Sequence, residues 1–147
     1  MTAAASLAPP LADCELCQQD GGEVLYRDAL LRVVRVDDPH YPGFCRVILN
    51  RHAREMSDLD PAEQARMMAV VLAVEGAVRA VCQPDKINLA SLGNVVPHVH
   101  WHVIPRWEND RHFPNPIWGE VKRPDASPPQ IDPAALHAAI LARLPHD

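Results

Sequence analysis

Short stretches rich in valine, leucine and isoleucine, with polar residues at strand-like spacing, recur along the chain up to residue 91. This composition and spacing predict β-strands, because such apolar side chains suit a pleated sheet. Residues 23–27 and 30–36 are predicted to form a hairpin that turns near Asp28 and Ala29. Residues 44–49 and 86–91 are predicted to form two further strands.

A three- and four-residue period predicts one long helix, which begins after Asp60 and ends near Cys82. Asp60 is a suitable N-cap, Pro61 suits the first helical position, and Glu63 completes the pattern of a capping box. The apolar positions of this helix are Met67, Val70, Val71, Val74, Val78 and Val81. They form one stripe, so the helix is expected to pack on the sheet.

These elements predict an α+β fold, with a mostly antiparallel sheet of about five strands, one main helix and a short C-terminal helix from Pro133. The proposed division is an N-terminal segment at residues 1–21, a main domain at 22–119, and a linker with the short helix at 120–147. The first twelve residues are expected to be disordered.

Composition narrows the class of protein. The chain has 147 residues, of which 48% are hydrophobic and 22% charged, as in an ordinary globular domain. A formal net charge of −5 argues against a nucleic-acid-binding protein, which usually carries a basic patch. The N-terminus has no basic region and no sustained apolar run, so we expect no membrane association and a cytoplasmic location.

The most informative stretch is HVHWHVIPR at residues 98–106, which has a histidine at every second position. A strand here places His98, His100 and His102 on one face and the apolar residues between them on the other. A solvated polar face is one interpretation, and a zinc site is a second. Zinc requires convergent ligands, however, and a straight strand separates the outer histidines by roughly 13 Å. An extended anion such as a phosphate chain fits the row better.

The sequence HVHWHVI resembles the His-x-His-x-His-x-x signature of the histidine triad (HIT) superfamily, in which x is hydrophobic. Gly93 and Asn94 resemble the Gly-Gln segment that precedes the triad and helps to hold phosphates. The resemblance covers residues 25–118. It implies a HIT-like fold and a nucleotide hydrolase or nucleotidyl transferase, similar to bacterial HIT domain proteins and dinucleoside polyphosphate hydrolases.

The resemblance also implies roles for the three histidines. His100, which matches the middle histidine, would be the nucleophile, and His98 and His102 would orient phosphate oxygens. A ring nitrogen of His100 must be free, so the other is expected to donate its proton to a fixed acceptor such as a backbone carbonyl. The substrate would be a dinucleoside polyphosphate or a nucleoside phosphoramidate, and the chemistry would require no cofactor. The alternative is a non-enzymatic nucleotide-binding or scaffold protein.

Other site residues follow from the same resemblance. A polar residue near the turn at residues 37–43 meets the ribose in the family, and Asp37 is the candidate, although a plain turn aspartate is an equal alternative. Trp107 and Trp118 lie in an aromatic segment after the triad and are candidates for the walls of the substrate pocket, with packing at an interface as the alternative. A homodimer is implied as well, since Phe113, Ile117 and Trp118 need a surface to cover.

Cys14 and Cys17 form a Cys-x-x-Cys pair, which in a reducing compartment more often indicates a metal or redox motif than a disulfide. Some bacterial relatives complete such a site with two histidines, and His52 and His98 occupy the matching positions. This implies one structural zinc ion. Under the alternative interpretation both cysteines are free surface thiols and His98 is available to the phosphates.

Overall fold

The computed structural model describes residues 10–146. The prediction of disorder for the first twelve residues falls largely on residues 1–9, which lie outside this range. Of the three that remain, Leu11 is fixed through its backbone oxygen, which accepts hydrogen bonds from Cys14 N at 3.2 Å and from Gln18 Nε2 at 2.9 Å.

A five-stranded antiparallel sheet forms the centre of the fold, which confirms the predicted α+β class. The strands, in chain order, are β1 Glu23–Arg27, β2 Leu31–Arg35, β3 Cys45–Leu49, β4 Lys86–Ala90 and β5 His100–Arg106. Their order across the sheet is β1-β2-β3-β5-β4, so the last strand inserts between β3 and β4. The histidine-bearing strand is therefore supported by neighbours on both sides.

The strands are shorter than predicted by one or two residues at some ends, but the elements are those expected. The β1–β2 hairpin turns at Asp28, whose carboxylate accepts hydrogen bonds from Leu30 N at 2.8 Å and Leu31 N at 2.9 Å. An aspartate that binds the backbone two and three residues ahead stabilises such a tight turn.

The long helix also agrees with its sequence signals. After the short α1 at Glu15–Gln18, helix α2 spans Pro61–Cys82 and begins at the capping box predicted from Asp60 and Glu63. Its apolar stripe packs on β3 and β5. The helix ends at Gln83 in a left-handed conformation with φ of 47°. No helix in the described part of the chain combines the length and the apolar content needed to cross a bilayer.

Helix α3, Pro133–Arg143, confirms the predicted C-terminal helix. Leu136 and Ile140 of α3 are fully buried against α2 and belong to the main core. His137 Nε2 donates to the backbone oxygen of Leu25 at 2.8 Å. The C-terminal segment therefore docks on the domain, while the proposed division at residues 21 and 119 stays a prediction.

The opposite face of the sheet carries the histidines. Cross-strand pairing places Arg46 opposite His102 and Ile48 opposite His100. Helix α1, which the sequence analysis missed, covers part of this face through Leu16, which packs with Ile48. The approach is close at Gly21, where φ is +86° and an added Cβ would lie 2.8 Å from Ile48 Cδ1. The positive φ favours glycine there, because other residues rarely adopt this conformation.

Candidate active site

His100 is the first residue of β5, and its ring has a defined orientation. Nδ1 lies 2.6 Å from the backbone oxygen of His98. Because a carbonyl oxygen only accepts hydrogen bonds, Nδ1 carries the proton and Nε2 keeps its lone pair. Burial is the main cause that lowers the pKa of His100. This is the tautomer that the sequence analysis required of a nucleophile.

His100 lines a cavity of about 410 Å³ on the histidine face of the sheet. The other lining residues come from α1, β3, β5, the loop before β5 and the segment after it. They are Glu15, Arg46, Leu92, Gly93, Asn94, Val95, Val96, His102 and Trp118. A cavity of this volume lies within the usual range for sites that bind small molecules.

His102 stands between His100 and Trp118. Its ring centroid lies 4.9 Å from each of these two rings, and both contacts are edge-on. Burial lowers the pKa of His102 to about 3, with smaller contributions from His100 and Arg46. The ring is therefore neutral near pH 7, and its buried Nδ1 has no hydrogen-bond partner in the described structure.

His98 is placed differently from the other two histidines, contrary to the expectation of three aligned rings. Residue 98 precedes β5, where its backbone N–H donates to Val96 O in a turn. Its Nε2 donates to the backbone oxygen of Leu49 at 2.6 Å, so Nδ1 is the unprotonated nitrogen. His98 does not line the cavity of His100 and His102. Its ring faces the cysteine pair.

Cys14, Cys17, His52 and His98 form one cluster, with ligand atoms all within 4.8 Å of one another. His98 Nδ1 lies 3.4 Å from Cys14 Sγ and 3.5 Å from Cys17 Sγ, and His52 Nδ1 lies 3.4 Å from Cys17 Sγ. Tetrahedral zinc with these donors separates its ligand atoms by about 3.3–3.8 Å. The second nitrogen of His98 is fixed by a carbonyl, as is usual for a metal-bound histidine. The residues therefore fit a zinc ion.

The loop before β5 contributes the two residues that resemble the family's phosphate segment. Gly93 has φ of +74°, a conformation that favours glycine, and Asn94 is exposed. Both line the cavity. Their predicted contact with phosphate agrees with this placement and stays a prediction.

Two other candidates lie away from the cavity. Asp37 is exposed in the loop after β2, and Trp107 is buried in the main core with 8% of its surface accessible. Neither is among the lining residues. Trp118, in contrast, is 52% exposed and covers His102. The structure thus separates two tryptophans that the sequence could not distinguish.

The segment that carries Trp118 is organised by a buried ion pair that the sequence analysis missed. Arg106 Nε donates to Asp110 Oδ2 at 2.8 Å, and both side chains are almost fully buried. Asp110 also accepts from the backbone N–H groups of Trp107, His112 and Phe113. One carboxylate therefore fixes the first turn after β5.

Arg46 and Glu15 are further cavity residues without a predicted role. A signal for Arg46 was present, because it is the one charged residue within the otherwise apolar stretch FCRVIL. Glu15 lies on α1, an element too short to leave a periodic pattern.

A family model described as the HIT domain matches residues 18–109, more than half of the chain. The chain belongs to the HIT family. This confirms the resemblance that was based on the motif at residues 98–104 and agrees with the observed sheet and helices.

Curated relatives of this HIT protein carry the names of nucleotide enzymes. A Mycobacterium tuberculosis protein named AP-4-A phosphorylase is 30% identical over 121 residues, which covers 78% of this chain and 62% of that protein. A Schizosaccharomyces pombe protein named bis(5'-nucleosyl)-tetraphosphatase (asymmetrical) is 29% identical over 108 residues, or 70% of this chain and 59% of that protein. The chain thus spans about three fifths of the length of these relatives.

Solved structures support the fold of this HIT protein. A histidine triad protein from Bradyrhizobium japonicum is 30% identical and superimposes with a TM-score of 0.67, covering 85% of this chain and 92% of that one. A histidine triad family protein from Mycobacterium smegmatis, described as zinc-bound, is 22% identical with a TM-score of 0.56, covering 82% of this chain and 85% of that one. The second likeness concerns the fold alone.

Proposed function

We propose that this HIT protein is a nucleotide hydrolase or nucleotidyl transferase that acts on dinucleoside polyphosphates or nucleoside phosphoramidates. The observation that carries the proposal is the hydrogen bond from His100 Nδ1 to His98 O. It leaves a neutral imidazole with a lone pair at Nε2, in a cavity large enough for part of a nucleotide.

In the proposed first step, His100 Nε2 attacks the α-phosphorus in line with the leaving group. A phosphorus–nitrogen bond forms as the bond to the leaving oxygen, or to the leaving nitrogen of a phosphoramidate, breaks. The leaving group takes that electron pair and a proton from solvent. Water, which releases a proton to solvent, or an acceptor phosphate in a transfer reaction, then attacks the phosphorus, and the electron pair of the phosphorus–nitrogen bond returns to Nε2.

The neighbouring residues would assist this reaction as hydrogen-bond donors. Neutral His102 has one N–H group, and the Asn94 amide has two, to offer to phosphate oxygens as negative charge develops. Trp118 would exclude water from the side of His102 and offer its ring to an apolar part of the substrate. The placement of His98 favours a structural role in the cysteine cluster over direct contact with phosphate.

The names of the two curated relatives support a dinucleoside polyphosphate as the substrate. A non-enzymatic nucleotide-binding or scaffold protein is the rival function. Such a protein has no need of the nucleophile or of its reactive tautomer, and this chain has both. A screen of diadenosine polyphosphates and adenosine phosphoramidate with the purified protein separates the two functions.

The His100→Asn variant provides the sharper form of this test. We expect the variant to bind AMP within about threefold of the wild type, and its turnover to be lower by several orders of magnitude, since no other side chain replaces the nucleophile. Rapid acid quench of the wild type should reveal a nucleotidyl adduct that is absent from the variant. If the wild type is active without forming an adduct, and His100→Asn retains that activity, the assignment of His100 as the nucleophile is wrong.

We also propose that Cys14, Cys17, His52 and His98 hold one structural zinc ion. The four donor atoms lie within 4.8 Å of one another, and three of the sulfur–nitrogen distances, at 3.4–3.5 Å, are those of a tetrahedral site. The zinc-bound Mycobacterium smegmatis protein of the same fold gives further support. The ion would supply a cross-link between the N-terminal segment and the backbone before β5, and it has no step in the reaction.

A homodimer and a cytoplasmic location complete the proposal. None of the four cysteines, all within the described range, is in a disulfide, which suits a reducing compartment. Two of the three apolar residues that suggested a dimer are covered within the chain itself. Ile117 packs on the main core, and Phe113 lies under the guanidinium of Arg106. Exposed Leu89 and Leu92, at the free edge of β4 and just after it, still favour a partner surface. Light scattering at micromolar concentration tests the dimer.

A further inference from the structure

Arg46 differs from the other described arginines in having a buried guanidinium nitrogen without a hydrogen-bond partner. Its Nη1 donates to Gly21 O at 3.2 Å, and its Nε is buried without a partner in the described structure. Its guanidinium also lies 5.9 Å from the centroid of Phe44. No carboxylate within the described range lies at ion-pair distance from it. Most of its five N–H donors are therefore uncommitted.

The three most buried of the other described arginines each make two or more hydrogen bonds within the protein. Arg32 donates to three backbone oxygens and to Asn50, and Arg51 forms a bidentate pair with Glu63. Arg106 donates to Asp110, Asn88 and Asn115 O. Because taking a guanidinium out of water is costly, folds normally compensate it in this way. Arg46 has only one such hydrogen bond within the described structure, and no described carboxylate lies at ion-pair distance from it.

The location of Arg46 suggests which ligand its uncommitted N–H groups bind. It pairs with His102 across β3 and β5, and it lines the cavity that contains His100. Among the described lining residues it is the one lysine or arginine. A guanidinium binds phosphate through two parallel hydrogen bonds, which two neutral histidines cannot do. The cavity therefore has one permanent cation, beside the proposed nucleophile and without a counter-ion at ion-pair distance.

We propose that Arg46 is a substrate-binding residue that holds the phosphate of the leaving group and so selects phosphoanhydrides over phosphoramidates. This inference rests on the proposed function, because it assumes that a nucleotide occupies the cavity. The single charge of an α-phosphate can be met by His102 and Asn94. A fixed cation beside His102 suits a second phosphate, which a dinucleoside polyphosphate has and adenosine phosphoramidate lacks.

Binding of ADP and AMP tests the proposal without turnover. Titration calorimetry of the wild type should give an affinity for ADP about 10- to 100-fold above that for AMP, the value of a charge-assisted hydrogen-bonded contact. Arg46→Gln and Arg46→Met should reduce this ratio to about 1. Arg35→Gln is the matched control, since Arg35 is a strand arginine that pairs with exposed Glu23 outside the cavity, and it should keep the wild-type ratio.

Activity provides the second readout. Each Arg46 variant should lose kcat/KM for diadenosine triphosphate by about 10- to 100-fold relative to adenosine phosphoramidate. A wild-type protein that discriminates ADP from AMP through Arg46 but hydrolyses neither substrate would refute the proposed function and retain this inference. An unchanged ADP to AMP ratio in both variants, no ADP preference in the wild type, or failure of both variants to fold would overturn the inference.

Discussion

The backbone oxygen of His98 accepts the Nδ1 proton of His100 at 2.6 Å, while the ring of His98 lies against Cys14 and Cys17. One residue thus joins two sites. The side chain of His98 belongs to the cysteine cluster, and its main chain determines which nitrogen of His100 is free. Any change that moves residue 98 is therefore expected to alter the orientation of the His100 ring.

The first prediction concerns the tautomers of these histidines. Long-range ¹H–¹⁵N correlation spectra should show the proton of His100 on Nδ1 and that of His98 on Nε2, because both face backbone oxygens. His137, whose Nε2 donates to Leu25 O, is an internal reference and should also be the Nε2–H form. An Nε2–H tautomer at His100 would place the lone pair on Nδ1, which faces His98 O, and would contradict the assignment of Nε2 as the attacking atom.

The second prediction concerns zinc. Protein purified without chelator should contain about one zinc ion per chain by elemental analysis. The double variant Cys14→Ser/Cys17→Ser should contain almost none, since two of four ligands are lost. Its thermal midpoint should fall by roughly 5 °C or more, because a structural ion contributes to folding free energy.

Cys82→Ala is the control for the zinc measurement. Cys82 is a buried cysteine at the end of α2, outside the cluster, so this variant should keep its zinc. If the wild type itself contains no stoichiometric zinc, both the ion and the cross-link that it would provide are excluded for the purified protein.

Local patterns predicted the features that depend on neighbouring residues. The capping box of α2, the turn near Asp28 and the strand that carries His100 and His102 were all predicted, because each is encoded within a few positions. The site also depends on contacts between distant segments. Cys14 and His98 are 84 positions apart, and the register of β3 against β5 places Arg46 beside His102. No periodic pattern in the sequence predicts a contact between such distant residues.

The tryptophans illustrate the same limit. Trp107 and Trp118 lie in one aperiodic segment and have the same chemistry, so composition cannot assign one to the core and the other to the cavity. Asp110 binds the backbone N–H of Trp107 and pairs with Arg106, and this fixes the turn that follows β5. Which tryptophan is buried thus depends on the carboxylate of Asp110, and its partners are evident only in the folded chain.

The third prediction concerns Trp118. Its ring covers the edge of His102 and is 52% exposed, so removing it should affect ligand binding more than folding. Trp118→Ala is expected to weaken AMP binding about 5- to 10-fold, the value of one aromatic contact, with little change in thermal midpoint. Trp118→Phe should restore most of the affinity. Equal AMP affinity in all three proteins would remove Trp118 from the site.

The fourth prediction concerns the buried carboxylate of Asp110. Burial alone would raise its pKa, but hydrogen bonds from Arg106 and from three backbone N–H groups outweigh this and lower the pKa to about 2. Tyr41 is the other group in direct contact, and its hydroxyl donates to Asp110 at 3.1 Å while it also meets His112 Nδ1 at 2.7 Å. Asp110→Asn would leave Arg106 buried without a counter-ion, and it should cost about 3 kcal/mol of unfolding free energy at pH 7.

The sign of the pH dependence follows from the lowered pKa of Asp110. The unfolded chain binds a proton at this carboxylate near pH 3.8, whereas the folded protein holds it ionised to about pH 2. The stabilisation is therefore complete above about pH 5 and is lost as the pH falls toward 2. The difference in unfolding free energy between wild type and Asp110→Asn should shrink by about 1 kcal/mol from pH 6 to pH 3, measured by urea denaturation. Asp85→Asn, at an exposed aspartate bound to Glu108 N, should stay within about 0.5 kcal/mol of the wild type at both values. A constant difference for Asp110→Asn across this range would show that the ionised carboxylate does not stabilise the segment that carries Trp118.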